Sequence, residues 1–224
     1  MINLTKSSPA PVCLTYQLAN TGSDYKCGDV IPRLKTDFNN KCYLCEEKEP
    51  STINVEHFIP HRGNRNLMLD WNNLFYACGH CNNIKLAKAE FDNILNCIDN
   101  AVNILEMMQF EIKPFPKEKV TISALNTNPA VINTVELLNQ IYNGTTTLKI
   151  TEGVNIRDKL VKDLIEFNKL LQEYYFTPGL TIADKTNIST KIRQQISADA
   201  AFSSFKIWIL KANDVLKEDF ADLL

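Results

Sequence analysis

The chain has 224 residues, of which 45% are hydrophobic and 22% charged, and its formal net charge is −2. These values predict a folded protein of one sizeable domain or two small ones, and they exclude a disordered chain. They also exclude a protein that binds nucleic acid through its whole surface, which would be basic. Since no long apolar run and no signal-peptide core are found, we expect a cytoplasmic protein without membrane segments.

Residues 1–35 contain several prolines and glycines and little periodicity, which predicts an N-terminal arm that packs on the rest of the protein. One short helix is expected around 13–18, and a second over 34–38 leads into the next segment.

The chain has seven cysteines, and in a reducing compartment this number favours metal binding over disulfides. Cys13, Cys27 and Cys97 lack a CxxC partner, and we expect them to be unpaired.

Residues 36–100 hold the remaining four cysteines as two CxxC pairs, Cys42 with Cys45 and Cys78 with Cys81. Two thiolate pairs at this spacing can close a tetrahedron around a structural Zn²⁺ ion. The alternation over 53–59 predicts a half-buried strand, and 74–77 predicts a second strand. A helix is expected from Asn82 to about Asn96. Its predicted buried positions are Ile84, Leu86 or Ala87, Phe91, Ile94 and Leu95.

Residues 101–130 are predicted to form a β-hairpin connector, with strands at 110–113 and 120–123 joined across the sequence PFPKEK. Residues 131–224 show helical spacing and predict a helical region. Its helices are expected over 131–142, over 156–175, and from 184 into the 202–216 region. The predicted fold class is α+β.

The insert between the CxxC pairs contains VEHFIPH, and NNIK follows the last cysteine. A zinc ribbon without chemistry has no need of a long insert rich in His, Asn and acidic residues. The order CxxC, (E)H with Pro60 three residues later, NL, then CxxCNxxK is similar to the HNH nuclease family.

That resemblance implies a zinc-braced ββα-metal finger that hydrolyses phosphodiester bonds. His57 matches the general base of the family, while Glu56 and Asn82 match the ligands of a catalytic Mg²⁺ or Mn²⁺ ion. Asn73 matches the residue that braces the loop around the histidine. Glu56 departs from the family, in which Asp is more common.

Three basic residues close to these positions are candidates for phosphate contacts. Lys85 matches a lysine of the family motif, and Arg62 and Arg65 lie in the basic loop HRGNRN. His80 lies inside the second cysteine pair and is a weaker candidate ligand.

Segments beyond the motif, among them KPFPKEKVTI, ELLNQIYNGTT and FSSFKIWIL, resemble a narrower family, the PtuB-type HNH subunits of Septu antiphage systems. This resemblance implies a defence nuclease that cuts nucleic acid, with DNA preferred, beside a PtuA-like ABC-type ATPase. In retron-linked systems a reverse transcriptase with its RNA and DNA is a further partner. The helical region and the arm are the expected docking surfaces, with Phe202, Phe205, Trp208 and Ile209 as candidate anchors.

Two alternatives stay open. A free-standing or restriction-type HNH nuclease would cut DNA without an ATPase. A non-catalytic zinc-ribbon binding module would keep its function after His57→Ala.

Overall fold

Two antiparallel pairs of β-strands, nine α-helices and four short 3-10 helices account for the regular structure of the residues described by the computed structural model, which are 1–86, 88–113, 115 and 117–224. The strands are β1 (Ile53–His57), β2 (Leu74–Cys78), β3 (Met108–Ile112) and β4 (Val120–Ala124). The helices are α1 (Val12–Ala19), α2 (Val30–Asp37), α3 (Arg65–Met68), α4 (Gly79–Lys85), α5 (Pro129–Asn143), α6 (Thr147–Phe176), α7 (Ile182–Gln195), α8 (Ser203–Lys211) and α9 (Asp214–Asp219). The predicted α+β class is confirmed.

The finger at the centre of the chain consists of β1, β2 and α4. The two strands are antiparallel, with Ile53 opposite Cys78 and His57 opposite Leu74. Strand β2 is buried along its whole length, whereas β1 is buried at Val55 and Glu56. Because α4 begins directly after β2 and packs on both strands, the last cysteine pair lies at the corner between sheet and helix.

Helix α4 is shorter than predicted, since it ends at Lys85 and not near Asn96. In the segment after α4, backbone N–H and carbonyl groups form hydrogen bonds with side chains of α5 and not with each other in an α-helix. The Leu95 N–H donates to the Thr134 hydroxyl at 2.7 Å, and the carbonyl of Asn93 accepts from the side chain of Asn133 at 3.0 Å. Ile84, Phe91, Ile94 and Leu95 are buried as expected, whereas Leu86 is exposed. Ala87 lies outside the described residues.

The arm packs on the finger as predicted, and its two short helices are present as α1 and α2. Met1, Ile2 and Leu4 are buried in the same core as the finger. The expectation that Cys13 and Cys27 are unpaired is wrong, because they form a disulfide that joins α1 to the loop before α2. No CxxC spacing reveals this pair, which is brought together by the fold of the arm. Cys97 is unpaired and buried, as expected.

The predicted connector hairpin is confirmed by β3 and β4, which pair with Phe110 opposite Ile122. Helix α5 completes the free edge of β4. The Asn139 side chain accepts from the Ile122 N–H and donates to its carbonyl, and Asn143 does the same for Val120. These amides satisfy strand groups that would otherwise need water. Pro114 and Pro116, on which the expected turn depended, lie outside the described residues.

The helical region differs from the prediction at two places. Helix α6 begins at Thr147, nine residues early, because Thr146 caps it and Gly153 lets it approach α5. A Cβ atom at Gly153 would lie 2.7 Å from the Tyr142 carbonyl oxygen.

The predicted third helix is in fact α7, α8 and α9. Helix α7 ends at Gln195, and α8 begins directly after Phe202, whose φ is +47°. The Phe202 N–H donates to the Glu46 carbonyl, and the Glu46 carboxylate accepts from the N–H of Ser204 at the start of α8.

Two cores hold these elements together. The larger contains buried side chains from the arm, the finger, the β3–β4 hairpin, α5 and the first half of α6. The smaller joins the second half of α6 to α7 and α8. Of the candidate docking anchors, Phe202 and Phe205 are buried in the larger core, while Trp208 and Ile209 are half-buried and line a cavity of about 350 Å³ against β3. The predicted division of the chain at residues 35, 100 and 130 stays a prediction.

No helix within the described part of the chain combines the length and the apolar character needed to cross a membrane.

Candidate active site

The four cysteines of the two CxxC pairs meet in one buried cluster. Their Sγ atoms all lie within 4.8 Å of one another, and Cys45 Sγ is 3.9 Å from Cys78 Sγ. A regular tetrahedron of Zn–S bonds of about 2.3 Å has sulfurs about 3.8 Å apart. The cluster therefore fits a structural Zn²⁺ ion in both ligand type and spacing. Such an ion would tie the loop before β1 to the junction of β2 and α4.

His57, the last residue of β1, is held by the backbone through one ring nitrogen. Its Nε2 atom lies 3.0 Å from the carbonyl oxygen of Met68. A carbonyl oxygen can only accept a hydrogen bond, so Nε2 carries the proton of the neutral ring and Nδ1 carries the lone pair. Burial lowers the pKa of His57, opposed by the bond to Met68. The neutral imidazole with a basic Nδ1 is the form that a general base requires.

Glu56, the residue before His57, is a buried carboxylate with two unlike oxygens. Oε1 lies 2.8 Å from Lys85 Nζ and accepts from the Tyr43 hydroxyl at 3.1 Å. Oε2 is buried and has no hydrogen-bond partner among the described residues. Burial raises the pKa of Glu56 to about 7, while Lys85 and the Tyr43 hydroxyl oppose this by stabilising the carboxylate. A buried carboxylate oxygen without a partner is a group that a bound cation can satisfy.

A cavity of about 330 Å³ brings Glu56 and His57 together with Asn82, the residue directly after Cys81. The other residues that line it are Pro60, His61, Arg62 and Leu86. Strand β1 supplies the carboxylate of Glu56 and the imidazole of His57, and α4 supplies the amide of Asn82. The two predicted ligands of a catalytic cation, Glu56 and Asn82, thus share one cavity with the predicted general base, His57.

Asn73 lies beneath the loop that follows β1 and is buried. Its side chain accepts from the Ile59 N–H at 2.7 Å and donates to the carbonyls of Ile59 and Leu67 at 2.8 and 2.9 Å. These bonds join both ends of the loop that carries His61 and Met68. The contacts agree with the bracing role implied by the family resemblance.

Lys85 is placed differently from the prediction of a phosphate contact. Its side chain is 1% exposed, and its ammonium group pairs with Glu56 and donates to the Phe58 carbonyl at 2.8 Å. The lysine points inward because α4 packs its last turn against β1. Its contacts therefore hold the Glu56 carboxylate and the end of β1 in place.

The two arginines of the basic loop also differ from each other. Arg65 donates to the carbonyls of Gln17, Leu18 and Gly22, so it fastens the arm and is not directed at the cavity. Arg62 lies at the cavity rim, half-exposed, in an ion pair with Asp92 at 2.7 Å.

His80 is not directed at the cysteine cluster. Its Nδ1 lies 2.5 Å from Glu152 and its Nε2 2.8 Å from the Ile141 carbonyl oxygen. It links α4 to the helical region.

Sequence reasoning missed three aromatic residues of the site. His61 lines the cavity, its ring centroid 4.7 Å from that of His57. Tyr43, between the first two cysteines, positions Glu56, and Tyr25 of the arm meets His57 edge-on at 4.6 Å. Of the three, only His61 could have been found from the sequence, because it is the second histidine of VEHFIPH. The contacts of both tyrosines depend on the tertiary fold.

A cysteine-closed ββα finger with a histidine at the end of its first strand defines the HNH class of nuclease domains. Residues 42–88, which contain both cysteine pairs, β1, β2 and α4, match the family model of the HNH endonucleases.

The chain is also similar to the Septu protein PtuB of Bacillus thuringiensis, with 33% identity over 96 residues. The match covers 40% of this chain and 37% of that protein, so little more than a third of the curated relative is spanned. The predicted family resemblance is thereby confirmed.

Proposed function

We propose that this chain is a divalent-metal-dependent endonuclease that hydrolyses phosphodiester bonds, with DNA preferred, as the nuclease subunit of a Septu-type antiphage system. The observation that carries the proposal is the buried, unpartnered Oε2 of Glu56, in a residue that shares a cavity with His57 and Asn82. Carboxylate and amide oxygens are the ligands preferred by hard cations such as Mg²⁺. The residues present therefore fit the cation that the chemistry needs.

Glu56 and Asn82 would hold Mg²⁺ or Mn²⁺, which when bound stabilises negative charge on the phosphate and on the leaving oxygen. Glu56 is prepared for this task because Lys85 and Tyr43 occupy its other oxygen. The carboxylate is thus fixed in orientation before any ligand arrives, which reduces the cost of ordering it.

His57 accepts a proton from a water molecule at Nδ1 as the water oxygen bonds to phosphorus. The phosphorus–oxygen bond opposite breaks, and the leaving oxygen keeps the electron pair and gains a proton from solvent. The Met68 carbonyl keeps the imidazole oriented and stabilises the imidazolium ion that forms.

An ABC-type ATPase is the proposed partner, and a reverse transcriptase with its RNA and DNA joins where the system is linked to a retron. The net charge of −2 supports a partner that positions the substrate, because a chain of this charge attracts a polyanion weakly by itself. The similarity to a Septu protein supports the same assembly.

The test is cleavage of plasmid DNA in Mg²⁺ or Mn²⁺ by the full chain and by His57→Ala, each with and without a PtuA-like ABC-type ATPase. We expect cleavage that requires the cation and His57 and that changes when the ATPase is added. Asn72→Ala is a matched control, since Asn72 is exposed and does not line the cavity.

Cleavage that is the same with and without the ATPase would favour the free-standing nuclease. If neither DNA nor RNA is cut under any condition, or if His57→Ala cuts as well as wild type, the zinc-ribbon binding module is the better description.

A further inference from the structure

His61 is the one histidine of the cavity to which neither the predicted motif nor the proposed reaction gives a task. It lies just beyond the end of β1, in the loop braced by Asn73. Its ring meets that of His57 at an angle of 61°, with 4.7 Å between centroids. Both rings line the cavity that holds Glu56 and Asn82.

Backbone hydrogen bonds fix opposite tautomers of the two imidazoles, because they engage Nε2 in His57 and Nδ1 in His61. The Gly63 N–H donates to His61 Nδ1 at 3.2 Å. Since Nδ1 accepts, the proton of the neutral His61 ring is on Nε2. In His57 the carbonyl of Met68 occupies Nε2 and leaves Nδ1 as the acceptor.

The loop around His61 keeps this arrangement in place. The Asn64 N–H donates to the His61 carbonyl at 2.7 Å, and Gly63 has a φ of +85°, where glycine is favoured. Among the described residues, Nε2 of His61 has no hydrogen-bond partner in the protein. The ring therefore presents an N–H donor that the protein itself does not use.

We propose that His61 binds the scissile phosphate by donating its Nε2–H to a non-bridging phosphate oxygen, so that the site contains one histidine that accepts and one that donates. This inference rests on the proposed nuclease function, because it assigns the substrate group that the cavity holds. An N–H donor suits the position, because a non-bridging phosphate oxygen accepts hydrogen bonds and lies beside the cation that Glu56 and Asn82 would hold. Arg62 beside it is already paired with Asp92.

A donor aimed at an oxygen that gains charge in the transition state is worth about a hundredfold or more in rate. A purely structural role for His61 would depend instead on Nδ1, which holds the Gly63 N–H. The two roles use different ring nitrogens, and substitutions can separate them.

The substitutions His61→Asn and His61→Gln distinguish the phosphate-binding role of Nε2 from the structural role of Nδ1. The Asn oxygen can replace Nδ1 as acceptor for Gly63 but provides no distal donor, whereas the Gln amide nitrogen reaches the position of Nε2. We expect His61→Asn to lower kcat/KM for plasmid cleavage about a hundredfold and His61→Gln to recover most of it. The reverse order, with Asn active and Gln impaired, would show a loop-stabilising role and overturn the proposal.

A measurement of DNA binding under conditions that slow cleavage tests the role of His61 separately from the nuclease function. A fluorescent oligonucleotide duplex is titrated with each variant in Ca²⁺, which supports binding while slowing hydrolysis, and Mn²⁺ affinity is measured separately. We expect His61→Asn to weaken duplex binding and to leave Mn²⁺ affinity unchanged.

Cleavage by wild type with no difference among the variants would defeat the His61 assignment alone. Weaker duplex binding by His61→Asn, without cleavage by any form, would support the phosphate contact and defeat the nuclease function. Binding that is equal for all variants, again without cleavage, would defeat both.

Discussion

Nε2 of His57 lies 3.0 Å from the carbonyl oxygen of Met68, across a loop whose two ends are tied together by Asn73. This contact decides which nitrogen of the imidazole is available to a substrate. The chemistry assigned to His57 therefore depends on the shape of a loop, and on the residues that hold the loop.

The pH dependence of cleavage follows from the burial of His57, which lowers its pKa from the usual value. Below that pKa, Nδ1 is protonated and cannot accept a proton from water. With saturating Mg²⁺ we expect kcat/KM to be constant above pH 7 and to fall about tenfold per pH unit on the acid side of the lowered His57 pKa. A midpoint well above 6.5 would contradict the assignment of His57 as the base.

Metal affinity should depend on the protonation of Glu56, whose pKa burial raises to about 7. The protonated acid must release its proton before it binds a cation, so affinity rises with pH through that value. Mn²⁺ titration by electron paramagnetic resonance should give about tenfold tighter binding at pH 8 than at pH 6, because the ionised fraction changes by about that factor. Glu56→Gln should bind Mn²⁺ weakly at both pH values. Equal affinity of the wild type at both would argue that Glu56 is not a ligand.

Asn73→Ala should destabilise the protein as well as reduce its activity. The substitution removes three hydrogen bonds and leaves backbone groups of Ile59 and Leu67 unsatisfied, at a cost of about 2–4 kcal/mol in the free energy of unfolding. Urea denaturation measures this change, with the exposed neighbour Asn72→Ala as control. If the two variants unfold at the same urea concentration, Asn73 does not brace the loop.

Loss of a cysteine of the cluster should cost the protein its zinc. Cys45→Ala removes one of four thiolates, and we expect less than one equivalent of zinc by elemental analysis and an unfolded or aggregated finger. Cys97→Ala is the matched control, because Cys97 is equally buried and outside the cluster. It should keep its zinc and cost about 1 kcal/mol. Full zinc content in Cys45→Ala would refute the proposed ligand set.

Substitution of the two arginines of the basic loop should have different effects, on stability for Arg65 and on DNA binding for Arg62. Arg65→Ala releases the arm carbonyls and should cost about 1–2 kcal/mol, with faster hydrogen exchange over 17–25. Arg62→Ala removes an exposed ion pair and should change stability by less than about 0.5 kcal/mol. If a phosphate contact exists in this loop, Arg62→Ala and not Arg65→Ala should raise the KM for DNA.

The sequence by itself was sufficient for the cysteine cluster and the two strands of the finger, but not for the end of its helix. The CxxC spacing predicted the cysteine cluster, because two thiolate pairs two residues apart meet one ion from almost any connecting chain. The alternation over 53–59 predicted β1, and residues 74–77 predicted β2. These features are local, so periodicity predicts them. The grouping of Glu56, His57 and Asn82 was implied by the family resemblance of the motif, and the three residues line one cavity.

Only the tertiary structure decided the contacts made by long side chains and by distant backbone groups. Lys85 reaches Glu56 and Arg65 reaches the arm because the packing of α4 and α1 leaves each cation nearer to an internal acceptor than to the cavity. Phe202 precedes the start of α8 because Glu46, far away in the sequence, accepts its N–H at the backbone carbonyl and accepts the N–H of Ser204 at the carboxylate. His61 and His57 have the same side chain, and it is the donor or acceptor that the folded backbone places beside each ring that sets which nitrogen each presents.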